Sequence, residues 1–309
     1  MENTLIDRAS MVIGTRLADV RRPNALRVHS LVLLDLLLIV ISAALCEAFW
    51  TPWIYILTLM IIGARQIGLG TIALHDGAHG LLTANRKGND LLARLLCWAL
   101  FIDLLGGFSA YRNTHVSHHR YLNTKADPDW PIVLEVYFGS RRKLIVTLIA
   151  QLVGIGFIQL WVNFLRQGSW HRTVLTLIAI AAIAAGICSS LYPATLFLLY
   201  WVVPFATWGL FINTVRVIAE HYPRGIFRGR DSVPELAWTR DVLPSWFDYL
   251  FVTTRGVNYH LTHHLFPAVP SYRLRELQRQ IASTEAYRSV AHVTYGYHRA
   301  LAEVVLRKR

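Results

Sequence analysis

The sequence predicts an all-α integral membrane protein, with four transmembrane helices in two hairpins, interfacial helices and a cytoplasmic, histidine-rich cap. Three observations carry that expectation: the composition, four apolar runs of span length, and three histidine strings placed between and after them. Of 309 residues, 54% are hydrophobic and 16% charged, with a mean hydropathy of +0.38. A soluble domain carries about 25% charged residues. Disorder, collagen-like repeats and a disulfide scaffold are excluded. The 31 Lys+Arg against 19 Asp+Glu give a formal charge of +12. A basic surplus suits nucleic acid, a membrane surface or an acidic partner, so its distribution decides. Cys46, Cys97 and Cys188 sit in or beside apolar runs without a CxxC pair, and read as small buried hydrophobes.

Taken in order, the chain opens with a tail, 1–30, that carries Arg8, Arg16, Arg21, Arg22 and Arg27. Spans follow at about 31–49 and 53–74, then 173–191 and 194–215. Each approaches the roughly 20 residues that cross 30 Å of hydrocarbon at 1.5 Å per residue. Thr51 and Pro52 separate the first pair, and Ser189, Ser190 and Pro193 mark the turn of the second, so both read as helical hairpins. Neither hairpin tip carries Lys or Arg. The positive-inside rule therefore places the N- and C-termini in the cytoplasm and both tips outside. The tail is too long, and lacks the small-residue site, for a signal peptide. Trp50 and Trp53 flank the first tip, where an aromatic belt belongs.

Two more apolar stretches, about 91–108 and 144–165, fit interfacial or re-entrant helices better than spans. Arg141, Arg142 and Lys143 before the second would otherwise lie across the membrane from Arg166 and Arg172 after it. A single domain, 1–309, then comprises the tail, a first hairpin (31–74), a cytoplasmic and interfacial segment (75–172), a second hairpin (173–215) and a cytoplasmic cap (216–309). Asp35 and Asp103 interrupt apolar runs and must face protein or water.

Eight of the 13 histidines fall in three strings: HDGAH (His75, His79), HVSHH (His115, His118, His119) and HLTHH (His260, His263, His264). On a helix, positions i, i+3 and i+4 share a face, so each string points two or three imidazoles one way. All three strings fall on the cytoplasmic side of the expected layout. That convergence favours metal binding over isolated polar pairs. Eight imidazoles exceed the three or four ligands of one zinc or non-haem iron, so two metal ions are the economical reading. HExxH and repeated ExxH motifs are absent, which disfavours a zinc protease or a soluble carboxylate di-iron bundle. Redox iron with all-nitrogen ligands is the strongest chemical option. His221, in VIAEHYP after the last span, is a ninth candidate, whereas His29, His171, His292 and His298 read as surface or interfacial residues. A ligating imidazole usually gives its second N–H to a carboxylate or carbonyl. Asp76, Asp127, Asp129, Glu220 and Asn258 are placed to receive or orient such bonds.

These strings, with HVSHHRYLNTKADPDW around the second and NYHLTHHLFPAVPSYRL around the third, resemble the membrane fatty acid desaturase family. The matches span residues 75–275 in consistent order. The resemblance implies two iron ions, O2 as co-substrate and removal of hydrogen from an unactivated CH2 of a fatty acyl chain. It also implies that His221 completes the ligand set, because the family can place an extra histidine between the last span and the third box. Departures are informative. The third box begins with His260 rather than Gln, unlike front-end desaturases, and no haem-binding HPGG string is present. Electrons would then come from a separate ferredoxin-like or cytochrome-like donor, drawn to the basic face that anionic lipid headgroups also use. Dispersed arginines and the lack of a recognition motif disfavour nucleic acid. A hydroxylase or ketolase of a carotenoid, sphingolipid or other long apolar substrate is the alternative, and a metal transporter or sensor a more distant one.

Overall fold

The computed structural model describes residues 20–100, 107–122, 124–129, 140–167, 191–221, 239–252 and 255–307. Among them, three helices are long and apolar enough to cross a membrane: α1 (Ala25–Ala48), α2 (Pro52–Asp76) and α7 (Ala194–His221). The expected span at 173–191 lies almost wholly outside the described residues, as do Asp103, His171 and Cys188.

Helix α1 starts six residues earlier than expected because Asn24 caps it, accepting from the Arg27 N–H at 3.0 Å. Its Leu33, Leu34, Val40, Ile41 and Leu45 are exposed on the protein surface, as a lipid-facing helix requires. Thr51 caps α2 and Pro52 opens it, where the missing N–H costs nothing. The hairpin turn is therefore where Thr51 and Pro52 predict it. Trp50 and Trp53 stand exposed at its tip.

Both α2 and α7 overrun their expected ends. Helix α2 continues through a π-helical turn, Thr71–Asp76, and α7 runs six residues past 215 to His221. Polar residues in those extensions hid them from hydropathy. Pro193 lies inside the helix Leu191–Phe197 rather than in a turn before it. Pro204 falls between two π-helical turns, Leu198–Val202 and Phe205–Gly209, which let the helix continue where proline supplies no N–H. Helices α2 and α7 run in the same direction and touch at Gly63. A Cβ there would lie 2.8 Å from the Pro204 carbonyl and 2.9 Å from the Gly209 nitrogen, so only glycine permits this approach.

The amphipathic stretches are short helices. Helix α3 (Arg86–Ala99) has 14 residues, about 21 Å of helix. Helix α4 (Gly107–Tyr121) carries the second histidine string. The 144–165 stretch is broken at Gly154, whose φ is +83°, into α5 (Arg141–Leu152) and α6 (Ile155–Gln167). The 12 residues of α5 are too few to span a bilayer.

The C-terminal part departs from an all-α reading. Strands β1 (Asp241–Leu243) and β2 (Val293–Tyr295) form a parallel pair, with Val242 opposite Thr294. Three-residue strands leave no alternating pattern for a sequence to display. Around the pair lie α8 (Trp246–Phe251), α9 (His260–Leu265), α10 (Leu274–Ile281), α11 (Glu285–Val290) and α12 (Tyr297–Arg307). A core of Leu261, Leu265, Phe266, Val269, Leu274 and Leu277 holds the third histidine string in place.

Asp35 and Arg65, two of the charged residues within the spans, belong to one ion cluster. Asp35 is fully buried and accepts from Arg65 at 3.5 Å, from Arg255 Nε at 2.8 Å and again from Arg255 Nη2. Arg65 also donates to the Tyr249 and Leu250 carbonyls at 3.1 and 3.2 Å. The cluster ties α1 and α2 to α8 and to the turn before the third string. Removing one partner of a buried pair leaves an uncompensated charge and costs roughly 3 to 5 kcal/mol. The Asp35→Leu variant is accordingly expected to lose about 3 kcal/mol of stability by denaturant unfolding in micelles. A change below about 0.5 kcal/mol would show that the cluster carries no such weight.

Candidate metal centre

All nine candidate histidines meet at one place. The first string enters on the π-helical end of α2, the second on α4, the third on α9, and His221 on the last turn of α7. Two groups of four have ring nitrogens within 4.8 Å of one another: His75, His79, His115 and His263, and then His118, His221, His260 and His264. His119 lies between them, its ring centroid 4.8 Å from that of His263 and 4.3 Å from that of His264. The helical spacing explains the split. His115 and His118 go to different groups, as do His263 and His264, so α4 and α9 each serve both.

Every one of the nine turns Nε2 inward. The contacts are His75 to His263 at 2.9 Å, His79 to His115 at 3.0 Å and His119 to His263 at 3.0 Å. In the second group His118 meets His221 at 3.2 Å, His221 meets His260 at 2.9 Å and His260 meets His264 at 3.1 Å.

Outward bonds fix several tautomers. His221 Nδ1 lies 3.1 Å from the Val217 carbonyl, which can only accept, so Nδ1 carries the proton. His118 Nδ1 lies 3.0 and 3.1 Å from the two Asp127 oxygens, and His75 Nδ1 3.0 Å from Asp76. With both rings neutral and Nδ1 carrying the proton, His118 and His221 would point lone pairs at each other across 3.2 Å. That arrangement asks for a cation between them, and an all-imidazole donor set suits zinc, copper or iron. The donors present therefore fit bound metal.

Burial keeps six of the rings neutral. Loss of water, reinforced by the His75 ring, pushes the His79 imidazole down to about 3. Burial and then His79 push His119 down to about 2. His115, His260, His263 and His264 are all lowered well below the ordinary imidazole range by burial first and neighbouring histidines second.

The five supporting residues have different jobs. Asp76 joins His75 to Ser271, whose hydroxyl donates to it at 2.7 Å. Asp127 bonds His118 and accepts from the Asp129 N–H at 2.9 Å, while Asp129, partly exposed, has an oxygen 3.5 Å from His118 Nδ1. Glu220 accepts from Tyr297 at 2.5 Å and Arg216 at 3.2 Å, with His260 Nδ1 at 3.8 Å, beyond hydrogen-bond reach. Asn258 bonds no imidazole. Its side chain donates to the Val242 carbonyl at 2.8 Å and so splices the third string to β1. The other histidines stay away: His29 and His298 are exposed, and His292 lies 3.5 Å from Glu303.

Sequence reasoning missed several contributors. Buried Asp241 accepts from the Thr262 N–H at 3.0 Å, the Thr262 hydroxyl at 2.5 Å and the Tyr287 hydroxyl at 2.7 Å, which fixes the helix bearing His260, His263 and His264. Tyr111 stacks on His115 at 5.1 Å. Tyr297 sits 77 residues beyond Glu220, and its phenol is raised by burial and by that carboxylate, so it remains a donor. Ser271 follows the Val-Pro run already singled out, and that run was the available signal. Asp241 and Tyr297 offered none.

A cavity of about 540 Å³ opens onto the cluster from between α2 and α7. Ile67, Leu74, Leu160, Phe205, Leu210 and Val257 line its walls, and His75, His115, His118, His221 and His260 its end. Thr71, Tyr111, Arg216 and Glu220 line it as well, so the site joins a donor set that fits metal to a mainly apolar chamber.

A family model described as fatty acid desaturase matches residues 48–296. The chain belongs to that family. It is 27% identical over 267 residues to the dihydrorhizobitoxine desaturase of Bradyrhizobium elkanii, covering 81% of this chain and 73% of that one. An sn-1 oleoyl-lipid 12-desaturase of Picosynechococcus sp. is 26% identical over 298 residues, covering 87% and 81%. A sphingolipid delta(4)-desaturase/C4-monooxygenase of Mus musculus is 26% identical over 226 residues, covering 69% and 61%. Membership makes the chain an oxidoreductase.

The buried imidazoles set a pH dependence. In the unfolded chain they take up protons as the pH falls through about 6.5, whereas in the folded chain they stay neutral to far lower pH. Protons therefore favour the unfolded state, and the stability present above about pH 6.5 is lost on acidification. The chelator-treated protein is expected to have a melting temperature that is flat near neutrality and falls steadily from about pH 6.5 towards 4. A flat profile across that range would mean that the rings are not held neutral.

Proposed function

We propose, from membership of the desaturase family, that the chain is an O2-dependent di-iron enzyme that introduces a C=C bond into a fatty acyl chain of a lipid or thioester. The observation that carries this reading is the convergence of nine inward Nε2 atoms at the end of an apolar cavity. His75, His79, His115, His118, His119, His221, His260, His263 and His264 would hold the irons. When bound, two irons supply the O2-dependent oxidising power that removes two hydrogens from adjacent unactivated carbons.

The chain's own residues do the rest. Asp76, Asp127 and the Val217 carbonyl hold protons on Nδ1, which keeps the paired Nε2 atoms free to donate. Arg216, Glu220 and Tyr297 brace the α7 end beside His221, and Asp241 braces α9. Apolar walls from α2, α6 and α7 exclude water and hold a chain against the histidines.

The proposed layout keeps four spans, three of them the helices Ala25–Ala48, Pro52–Asp76 and Ala194–His221 and the fourth expected at 173–191, with both termini cytoplasmic and the domain divided as the charge pattern suggests. A separate ferredoxin-like or cytochrome-like protein would deliver electrons to the basic cytoplasmic face, which anionic headgroups also contact. A transporter or sensor is disfavoured, because Asp35 and Arg65 are paired with each other and with Arg255 instead of lining a path. One second reading has support: a relative named as both desaturase and monooxygenase suggests hydroxylation at the same site.

Mass spectrometry of lipids from cells expressing the chain with a donor system tests the proposal. The expected result is O2-dependent acyl products lacking two hydrogens, absent from the His263→Ala control. Products gaining one oxygen would favour hydroxylation, and a profile identical to the control would defeat both.

A further inference from the structure

Helix α8 (Trp246–Phe251) exposes an apolar face that a cytoplasmic cap has no use for. Trp246 is 77% exposed, and Phe247, Tyr249 and Leu250 are exposed beside it, while Asp248 and Phe251 are buried. At 3.6 residues per turn the four exposed residues share one side of the helix and the two buried ones the other. A face of this kind meets either lipid or a partner protein. The backbone decides between them.

The last four carbonyls of a helix have no partner within it, and in water they bond solvent. In hydrocarbon each must be satisfied by protein. In α8 all four are. The Asp248 carbonyl accepts from the Val252 N–H at 2.9 Å, those of Tyr249 and Leu250 from Arg65 Nη2 at 3.1 and 3.2 Å, and that of Phe251 from Trp208 Nε1 at 2.8 Å. Arg65 stands on α2 and Trp208 on α7, so two membrane helices cap the end of a third element.

The level of those donors follows from the helix rise. Exposed Trp50 and Trp53 mark the outer edge of the first hairpin. Gly63 lies 11 residues beyond Pro52 and Arg65 lies 13 beyond it. At 1.5 Å per residue they stand about 16 and 20 Å from that edge. A Cβ on Gly63 would lie 3.2 Å from the Trp208 Cβ, which puts Trp208 at the Gly63 level. Across roughly 30 Å of hydrocarbon, both donors stop some 10 to 14 Å short of the cytoplasmic boundary. The carbonyl end of α8 therefore lies inside the leaflet. On the same scale His75, 23 residues beyond Pro52, is about 35 Å along and just outside it.

We propose that α8 is inserted into the cytoplasmic leaflet, with Trp246, Phe247, Tyr249 and Leu250 packed against lipid acyl chains. The cap is then partly embedded. Strand β1 leads down to α8, and the chain returns past Arg255, paired with Asp35 on α1, to the third histidine string. The bilayer thereby helps to set the depth of His260, His263 and His264. The inference rests on the proposed spans and not on the reaction at the centre.

Depth-dependent quenching tests it, with the full chain in nanodiscs, its own cysteines replaced, and one introduced cysteine carrying a bimane fluorophore. Trp246→Cys reads α8, Leu33→Cys the exposed face of α1 near Asp35, and Ser283→Cys an exposed site in the cap. Nitroxide groups on acyl chains quench from within the hydrocarbon, and iodide quenches from water. Quenching by the lipid nitroxide is expected to be severalfold stronger at 246 and 33 than at 283, with the reverse order for iodide. Should Trp246→Cys not fold, Leu250→Cys reads the same face and is expected to behave alike. Iodide quenching on α8 as strong as at 283, with 33 still protected, overturns the proposal and leaves the face to a soluble partner. Iodide quenching at 33 as well overturns the span layout together with it. Oxidised products are read separately, so the reaction proposed for the centre can fail while this inference stands.

Discussion

The structure depends on one constraint: nine imidazoles crowded into a dry pocket must turn Nε2 toward a common centre. Burial keeps His79, His115, His119, His260, His263 and His264 neutral, since these rings lose the water that would solvate their charged form. Direction comes from bonds on the outer nitrogen, of which the Val217 carbonyl on His221 and Asp127 on His118 are the clearest. The result is repulsive by itself. His118 and His221 face each other Nε2 to Nε2 across 3.2 Å, each with its Nδ1 turned to an outside acceptor. Such an arrangement is stable only when the rest of the fold holds it, or when a cation relieves it.

The spans supply that hold. Two of them, α2 and α7, run parallel in contact at Gly63 and end on His75 and His221, which sets one side of the cluster. The π-helical turns shift the helix register and let Pro204 sit inside a membrane helix. On the opposite side, the parallel strand pair and Asp241 fix α9. The Asp35 cluster then locks α1, α2 and the chain around Arg255 together across the boundary between spans and cap. One rigid frame therefore contains both the apolar chamber and the donor set at its end.

Much of this was legible in the sequence because it follows local periodicity. Apolar runs gave α1, α2 and α7, Thr51 and Pro52 gave the first hairpin turn, and HVSHH and HLTHH at i, i+3 and i+4 gave the faces, whereas the Asn24 cap and the earlier start of α1 were passed over. What escaped was non-local or lay below the length at which patterns form. Strands of three residues have no period. The bonds from Asp241 to Tyr287 and from Glu220 to Tyr297 link positions 46 and 77 residues apart. The helical stretches beyond 74 and 215 were hidden because hydropathy stops at the first polar residues, although the helices do not. Asn258 shows the opposite case: its place beside the third string suggested an imidazole partner, and it bonds a strand carbonyl instead.

The centre itself is tested most directly by the metal content and coordination of the purified full chain. A di-iron site held by these histidines predicts two irons per chain, with an X-ray absorption first shell dominated by nitrogen. One saturable metal per chain, zinc in place of iron, or a first shell containing sulfur would contradict it.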